Sequence, residues 1–222
     1  MIIDLGLIDY EDCYKIQRDM VQRRKLCEID DTLILAEHNS VFTIGRSGRK
    51  DNLVVDENYL CARGIKVLNV DRGGDITFHG KGQLVVYPIV LLKDKWRDLH
   101  AYMYNLESVA IKLIDRYLLN PERCIGRTGV WVSGKKVASI GVGVSNWVTY
   151  HGLSININLD LEFFNMIYPC GMRDVKMTSL SQLIGKDISV EDIKDCVVSD
   201  FENVFNFGGV DFAPTEAPEM KS

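Results

Sequence analysis

The chain has 222 residues, 46% of them hydrophobic, which suits one domain with a sizeable core or, as the alternative, two small ones. Its 26 Lys and Arg against 31 Asp and Glu give a formal net charge of −5, which argues against broad nucleic-acid binding and leaves room for a local basic patch, of which Arg46, Arg49 and Lys50 form one. The beginning MIIDLGLIDYEDC has no basic-then-apolar leader, the longest apolar run (84–92) is far short of a membrane span, and six cysteines show neither zinc nor disulfide spacing, so the expected setting is the reducing cytoplasm.

Cys13, Ile16 and Met20 recur at helical spacing, which predicts a helix over 10–24. TLILAE (32–37) and SVFTI (40–44) read as strands around a turn at His38 and Asn39. GRSGRKDNLVV is a loop. A short helix is expected over 56–63, capped by Asp56 and stopped by Gly64. Strands follow at 65–70, 75–78 and 83–92; Pro88 inside the last predicts an edge strand or a bulge. Asp98 caps a long helix whose stripe Leu99, Tyr102, Met103, Leu106, Val109, Leu113 and Tyr117 is core. Alternation then predicts an antiparallel meander at 130–132, 136–144, 148–150 and 153–159, with a turn at Ser133 and Gly134. Asp160 caps a short helix, Pro169-Cys170-Gly171 breaks the pattern, Ser179 and Gln182 form a capping box closing at Gly185, and Ser189 starts a last helix. Strands and helices mix without a βαβ rhythm, so the fold class is α+β with a mixed or antiparallel sheet flanked by helices. Residues 1–213 are expected to be one domain and 214–222 a frayed polar tail.

Three stretches invite chemistry. DRGGDITFHGKGQ (71–83) carries four glycines around Arg72, Thr77 and His79; it is either the floor of a polar ligand site or a glycine-rich hairpin. Cys170, between a proline and a glycine, is either a rigidly presented thiol or a buried loop cysteine. A cation beside it would favour the nucleophilic thiolate. Lys135 and Lys136 stand in a turn that is ordinarily solvated. Lys136, however, opens the strand KVASIGVGV, whose small residues leave room for a ligand. His151, in HGL, reaches the same cleft or bonds at a strand edge. In ININL, Asn156 and Asn158 share one face.

RGGDITFHGKGQ, GVWVSGKKVASIGVGV, HGLSININLDL and PCGM, in this order and at these separations, resemble the lipoyl(octanoyl) transferase family of the lipoate-protein ligase B type, over about 32–183. The resemblance implies a fold like the catalytic domain of biotin and lipoate ligases. It implies transfer of an octanoyl group, by ping-pong chemistry, from acyl carrier protein to a lysine of lipoyl domains, those of 2-oxoacid dehydrogenase complexes and of the glycine cleavage H protein. Residue by residue, Cys170 matches the thioester-forming cysteine, and Lys136, not Lys135, matches the lysine that lowers its pKa. Arg72, Gly73, Gly74, Asp75, Ile76, Thr77, Phe78 and His79 match a first acyl-binding segment. Ser139, Ile140 and Gly141 match a second, and Gly152, Leu153 and Ser154 a third. Backbone N–H groups of the glycine-rich segments are the expected oxyanion donors. Neither metal nor cofactor is implied, because a thioester is already activated. Arg46, Arg49 and Lys50 become docking candidates for an acidic carrier. Lys81 departs from the family's usual proline in HGPGQ, which is expected to add flexibility and charge beside the site. The alternatives on the same fold are an ATP-dependent lipoate or biotin ligase and a non-catalytic binding module.

Overall fold

The computed structural model describes residues 1–93 and 97–205; the expected tail 214–222 lies outside the described residues. In chain order the elements are β1 (Ile2–Ile8), α1 (Tyr10–Lys25), β2 (Thr32–His38), β3 (Val41–Ile44), α2 (Glu57–Cys61), β4 (Lys66–Asn69), β5 (Ile76–His79), β6 (Gln83–Ile89) and α3 (Leu99–Asp115). The chain continues through β7 (Glu122–Cys124), β8 (Arg127–Val132), β9 (Lys135–Ser145), β10 (Val148–Asn156), α4 (Leu180–Ile184) and α5 (Lys194–Phe205). They build a seven-stranded sheet in the order β1-β2-β6-β10-β9-β8-β7 and a three-stranded sheet in the order β4-β3-β5. Each contains one parallel pair, β1 with β2 and β3 with β4, so the class is mixed α+β. Among the described residues no helix is long and apolar enough to cross a membrane.

Alternation decides the layers. Leu33 and Leu35 of β2 and Leu84 and Val86 of β6 join one cluster with Leu106 and Leu113 of α3 and Phe201 of α5. Ile34, Ala36, Val85 and Tyr87, one residue out of phase, join the other with Cys13, Met20 and Val21 of α1. The large sheet is therefore buried on both faces, which is why TLILA and LVVY read as unbroken apolar runs. A third cluster, Phe42, Ile76, Phe78, Phe164 and Ile167, underlies the small sheet. The strands expected on either side of His38 and Asn39 do not pair with each other: β2 enters the large sheet and β3 the small one.

Pro88 overturns the expectation of an edge. It pairs with Leu33 in β6, a central strand between β2 and β10. A missing ladder hydrogen bond costs about 1 kcal/mol. Fully burying each of Val86, Tyr87 and Ile89 around it gains about 1.5–3 kcal/mol, so burial wins. Three local features absorb the proline. The β6–β10 ladder stops at Val86 and Leu153. Thr149 Oγ1 donates to the Pro88 carbonyl at 2.7 Å. Gly152 faces the ring, where a Cβ would lie 2.8 Å from Pro88 Cδ.

Two strands have no counterpart in the sequence reading. β1 hides because its register shifts between Asp4 and Leu7, which breaks the period of two. β7 is only three residues long. The segments expected at 148–150 and 153–159 are instead one strand, β10, bent at His151 (φ 54°). The capping box at Ser179 is half made: its hydroxyl accepts from Gln182 N, while the Gln182 amide oxygen accepts from Thr178.

Candidate active site

β9 opens at Lys135, and strand alternation sends adjacent side chains to opposite faces. Lys135 is exposed, whereas Lys136 is only 2% exposed. The Lys136 backbone is pinned from outside the large sheet, its N–H donating to Lys176 O (2.8 Å) and its carbonyl accepting from Thr178 N (2.9 Å). Its ammonium lies 3.3 Å from Cys170 Sγ.

Cys170 sits in a 3-10 turn, Pro169–Gly171, with φ 57° and ψ 24°, a left-handed conformation that a side chain disfavours. The turn is closed by Gly171 N–H on Tyr168 O and Met172 N–H on Pro169 O. Tyr168 N–H in turn donates to Asn52 O at 2.8 Å. Asn52 Nδ2 donates to Asp75 Oδ2 at 2.7 Å, and the other Asp75 oxygen accepts from the N–H groups of Ile76 and Arg49. The loop after β3 thus ties the cysteine turn to the glycine-rich stretch.

Lys136 and Cys170 open on a cavity of about 460 Å³, within the range of small-molecule sites. Arg72, Gly73, Gly74, Asp75, Ile76, Thr77 and His79 line it, as do Ser139, Ile140, Gly141, Gly152, Leu153 and Ser154. Phe78 does not: strand alternation turns its ring into the small-sheet core, stacked on Phe163 with centroids 4.4 Å apart. Lys81 is exposed and borders a separate, smaller hollow with Phe78 and Phe163. Of the basic patch, Arg46 and Arg49 are exposed, and Lys50 is paired with Glu57 at 3.0 Å.

Arg72 is buried between the two sheets. Its Nη2 donates to the carbonyls of Thr43 and Asp75 and to the Thr43 hydroxyl, and its Nη1 to Gly73 O. Its Nε is buried with no partner among the described residues. One of the expected backbone oxyanion donors is committed elsewhere: Gly73 N–H donates to Val142 O at 2.8 Å.

The far wall holds residues that sequence reasoning missed. Tyr10, the first residue of α1, lines the cavity and stacks on His79 with centroids 5.6 Å apart. His79 Nδ1 donates to Gln83 Oε1 at 2.7 Å, because the Gln83 amide nitrogen is already donating to Phe78 O and Asn156 Oδ1. Burial holds this imidazole well below its ordinary pKa, hence neutral. His151 Nε2 donates to Asp71 Oδ1 (3.0 Å), leaving Nδ1 to face the Tyr10 hydroxyl (3.4 Å). Burial pushes His151 down as well, while the His151 hydrogen bond, aided by Tyr150, keeps Asp71 well below the usual carboxylate range. Nothing in the local pattern of α1 distinguishes Tyr10 from an ordinary core tyrosine. Asn156 is buried on Gln83 and Thr178, and Asn158, beyond the end of β10, is exposed.

A cysteine thiol beside a lysine amine, facing a partly apolar cavity with glycines in its lining, defines a class: a protein with the groups that nucleophilic chemistry at sulfur requires. Comparison with known proteins gives the family. The model of the lipoyl protein ligase A/B catalytic domain matches residues 9–202. The chain belongs to that family. It is 44% identical over 206 residues to the octanoyltransferase of Rubrobacter xylanophilus, covering 92% of both chains. Among solved structures it is similar to lipoate-protein ligase A bound with ATP, with a TM-score of 0.70 and 13% identity over 98% of this chain and 89% of the other. A mutant biotin protein ligase from Aquifex aeolicus, in complex with biotin, gives a TM-score of 0.53 at 16% identity, over 92% and 70%. At such identities these two likenesses concern the fold.

Proposed function

We propose that this protein is an octanoyltransferase in which Cys170 carries the acyl group and Lys136 handles the charge and the proton. The observation that carries the reading is the 3.3 Å contact between Lys136 Nζ and Cys170 Sγ, both lining the cavity, in a chain whose relatives are octanoyltransferases. Cys170 thiolate attacks the carbonyl of an octanoyl thioester, with acyl carrier protein as the proposed donor. The tetrahedral adduct collapses, the carrier thiolate leaves with a proton from Lys136, and the octanoyl group stays on Sγ as a new thioester. The acceptor lysine, proposed to be on a lipoyl domain of a 2-oxoacid dehydrogenase complex or on the glycine cleavage H protein, then attacks as a free amine. Cys170 leaves as thiolate, and the amine's proton passes to the neutral Lys136, which restores the starting pair.

Ile76, Ile140, Val142 and Leu153 offer the acyl tail an apolar lining. Residues 1–213 act as one catalytic unit, and the acidic carrier docks against Arg46, Arg49 and Lys50.

Mixing the protein with octanoyl-acyl carrier protein and no ATP tests this. The intact mass should rise by one octanoyl group located on Cys170, and adding a lipoyl domain should discharge it. A strict requirement for ATP would instead favour a ligase, and absence of any adduct a binding module.

A further inference from the structure

GVWV, the opening of the motif that contains Lys136, has no role in the mechanism above. Its Gly129, in β8, has φ 125°, where side chains are rarely tolerated, and a Cβ there would come within 2.5 Å of both Ala138 O and Lys136 Cε and 3.2 Å of Lys136 Nζ. The lysine stem therefore lies directly on the bare face of this glycine. The glycine is locked from behind: its N–H donates to Glu107 Oε1 of α3 at 2.8 Å. The second Glu107 oxygen accepts from Arg123 Nε at 2.9 Å, so the carboxylate's charge is already matched and does not draw the ammonium away. Just beyond, the β8–β9 register shifts, setting Val130 opposite Ala138 but Trp131 opposite Lys136. The Trp131 ring centroid lies 5.6 Å from Nζ.

We propose that Gly129, held by Glu107, is a positioning residue that aims the Lys136 ammonium at Cys170. A lysine stem is long and flexible, and an ammonium free to wander spends little time beside one sulfur. With no side chain at 129 the stem can lie against β8, and the bonded N–H keeps that surface in place. The inference rests on the Lys136–Cys170 reading.

The test compares Gly129→Ala, Lys136→Ala, their double mutant, Glu107→Gln and Glu107→Leu. The readouts are the pH of half-maximal alkylation of Cys170, located by peptide mass, and the melting temperature. Gly129→Ala should raise the alkylation midpoint by about one pH unit and slow acyl-enzyme formation roughly tenfold. In the Lys136→Ala background it should add nothing, as expected of two residues acting through one contact. Glu107→Gln keeps an acceptor for Gly129 and serves as the reference for the loss of the Glu107 charge. Both Glu107 variants free the Arg123 charge, so comparing them cancels it, and Glu107→Leu, which alone loses the acceptor for the Gly129 N–H, should show the higher midpoint. A folded Gly129→Ala protein with a wild-type midpoint, or a shift that adds in full to that of Lys136→Ala, overturns the proposal. If Gly129→Ala does not fold, equal midpoints for the two Glu107 variants overturn it. An unchanged midpoint in Lys136→Ala overturns the underlying reading and this inference together. A shift there without one in Gly129→Ala overturns this inference alone.

Discussion

Lys136 and Cys170 meet at one cavity but are delivered by opposite kinds of structure. Lys136 comes from a regular strand in the large sheet, its direction set by alternation and its backbone bonded to the 176–178 segment. Cys170 comes from a three-residue turn in a left-handed conformation, held by Asn52 and Asp75 from distant parts of the chain. The lysine side inherits its backbone direction from the sheet, and its stem rests on Gly129, which Glu107 holds. On the cysteine side, about 1–2 kcal/mol of backbone strain is offset by a few named hydrogen bonds. The proposed reaction needs both, and the two sides should fail differently.

The largest effect is expected at the thiol. Cys170→Ala should abolish both the octanoyl adduct and turnover, with melting unchanged; normal turnover would end the covalent mechanism. Next comes the lysine. Lys136→Ala should slow acyl-enzyme formation by about 10²-fold, the low end for removing a general acid or base. It should also raise the pH of half-maximal alkylation of Cys170. Lys135→Ala, on the exposed face, should leave both unchanged. The reverse pattern would mean that the solution register of β9 is shifted by one residue.

The turn should respond in a graded way. Asn52→Ala removes the amide that reaches Asp75 Oδ2 and loosens the cysteine turn. Acylation should slow about tenfold, since small misplacements of reacting groups are costly. The alkylation midpoint should move less than in Lys136→Ala. Stopped-flow acylation and the alkylation profile measure this, and an unaltered rate would show that the turn keeps its shape without the clamp.

The last effect leaves the reaction aside and concerns stability alone. His38 is buried, with Nδ1 donating to Ile8 O and Nε2 accepting from the Tyr87 hydroxyl, and burial pushes its pKa down to about 4. The unfolded chain takes up a proton near pH 6.5 that the folded chain refuses until about pH 4. Stability from this group is therefore complete above pH 6.5 and falls as the pH drops through that window, by on the order of 3 kcal/mol at pH 4. His79 and His151, also pushed down by burial, act in the same direction. The melting temperature should decline from pH 7 to pH 4, and a flat profile would show that these imidazoles titrate in the folded state.

Local chemistry carried much of this molecule into its sequence. Apolar spacing along α1, α3 and α5, the caps Asp56, Asp98 and Asp160, and the parity that separates Lys135 from Lys136 are all decided within a few residues of themselves. The same holds for the chemical types gathered in 71–79, 136–141, 151–154 and 170, because each motif is contiguous.

Tertiary structure alone decided the rest. It placed Pro88 in a central strand, because burial on both faces outweighs one hydrogen bond. It turned Phe78 away from the cavity that both its neighbours, Thr77 and His79, line, because β5 alternates against the small-sheet core. It brought Tyr10, Asn52, Glu107 and Gly129 to the site through contacts spanning tens of residues, such as Tyr10 to His151 and Gly129 to Glu107. A hydrogen bond between distant residues leaves no period and no spacing in the chain; it exists only once the sheets have closed around it.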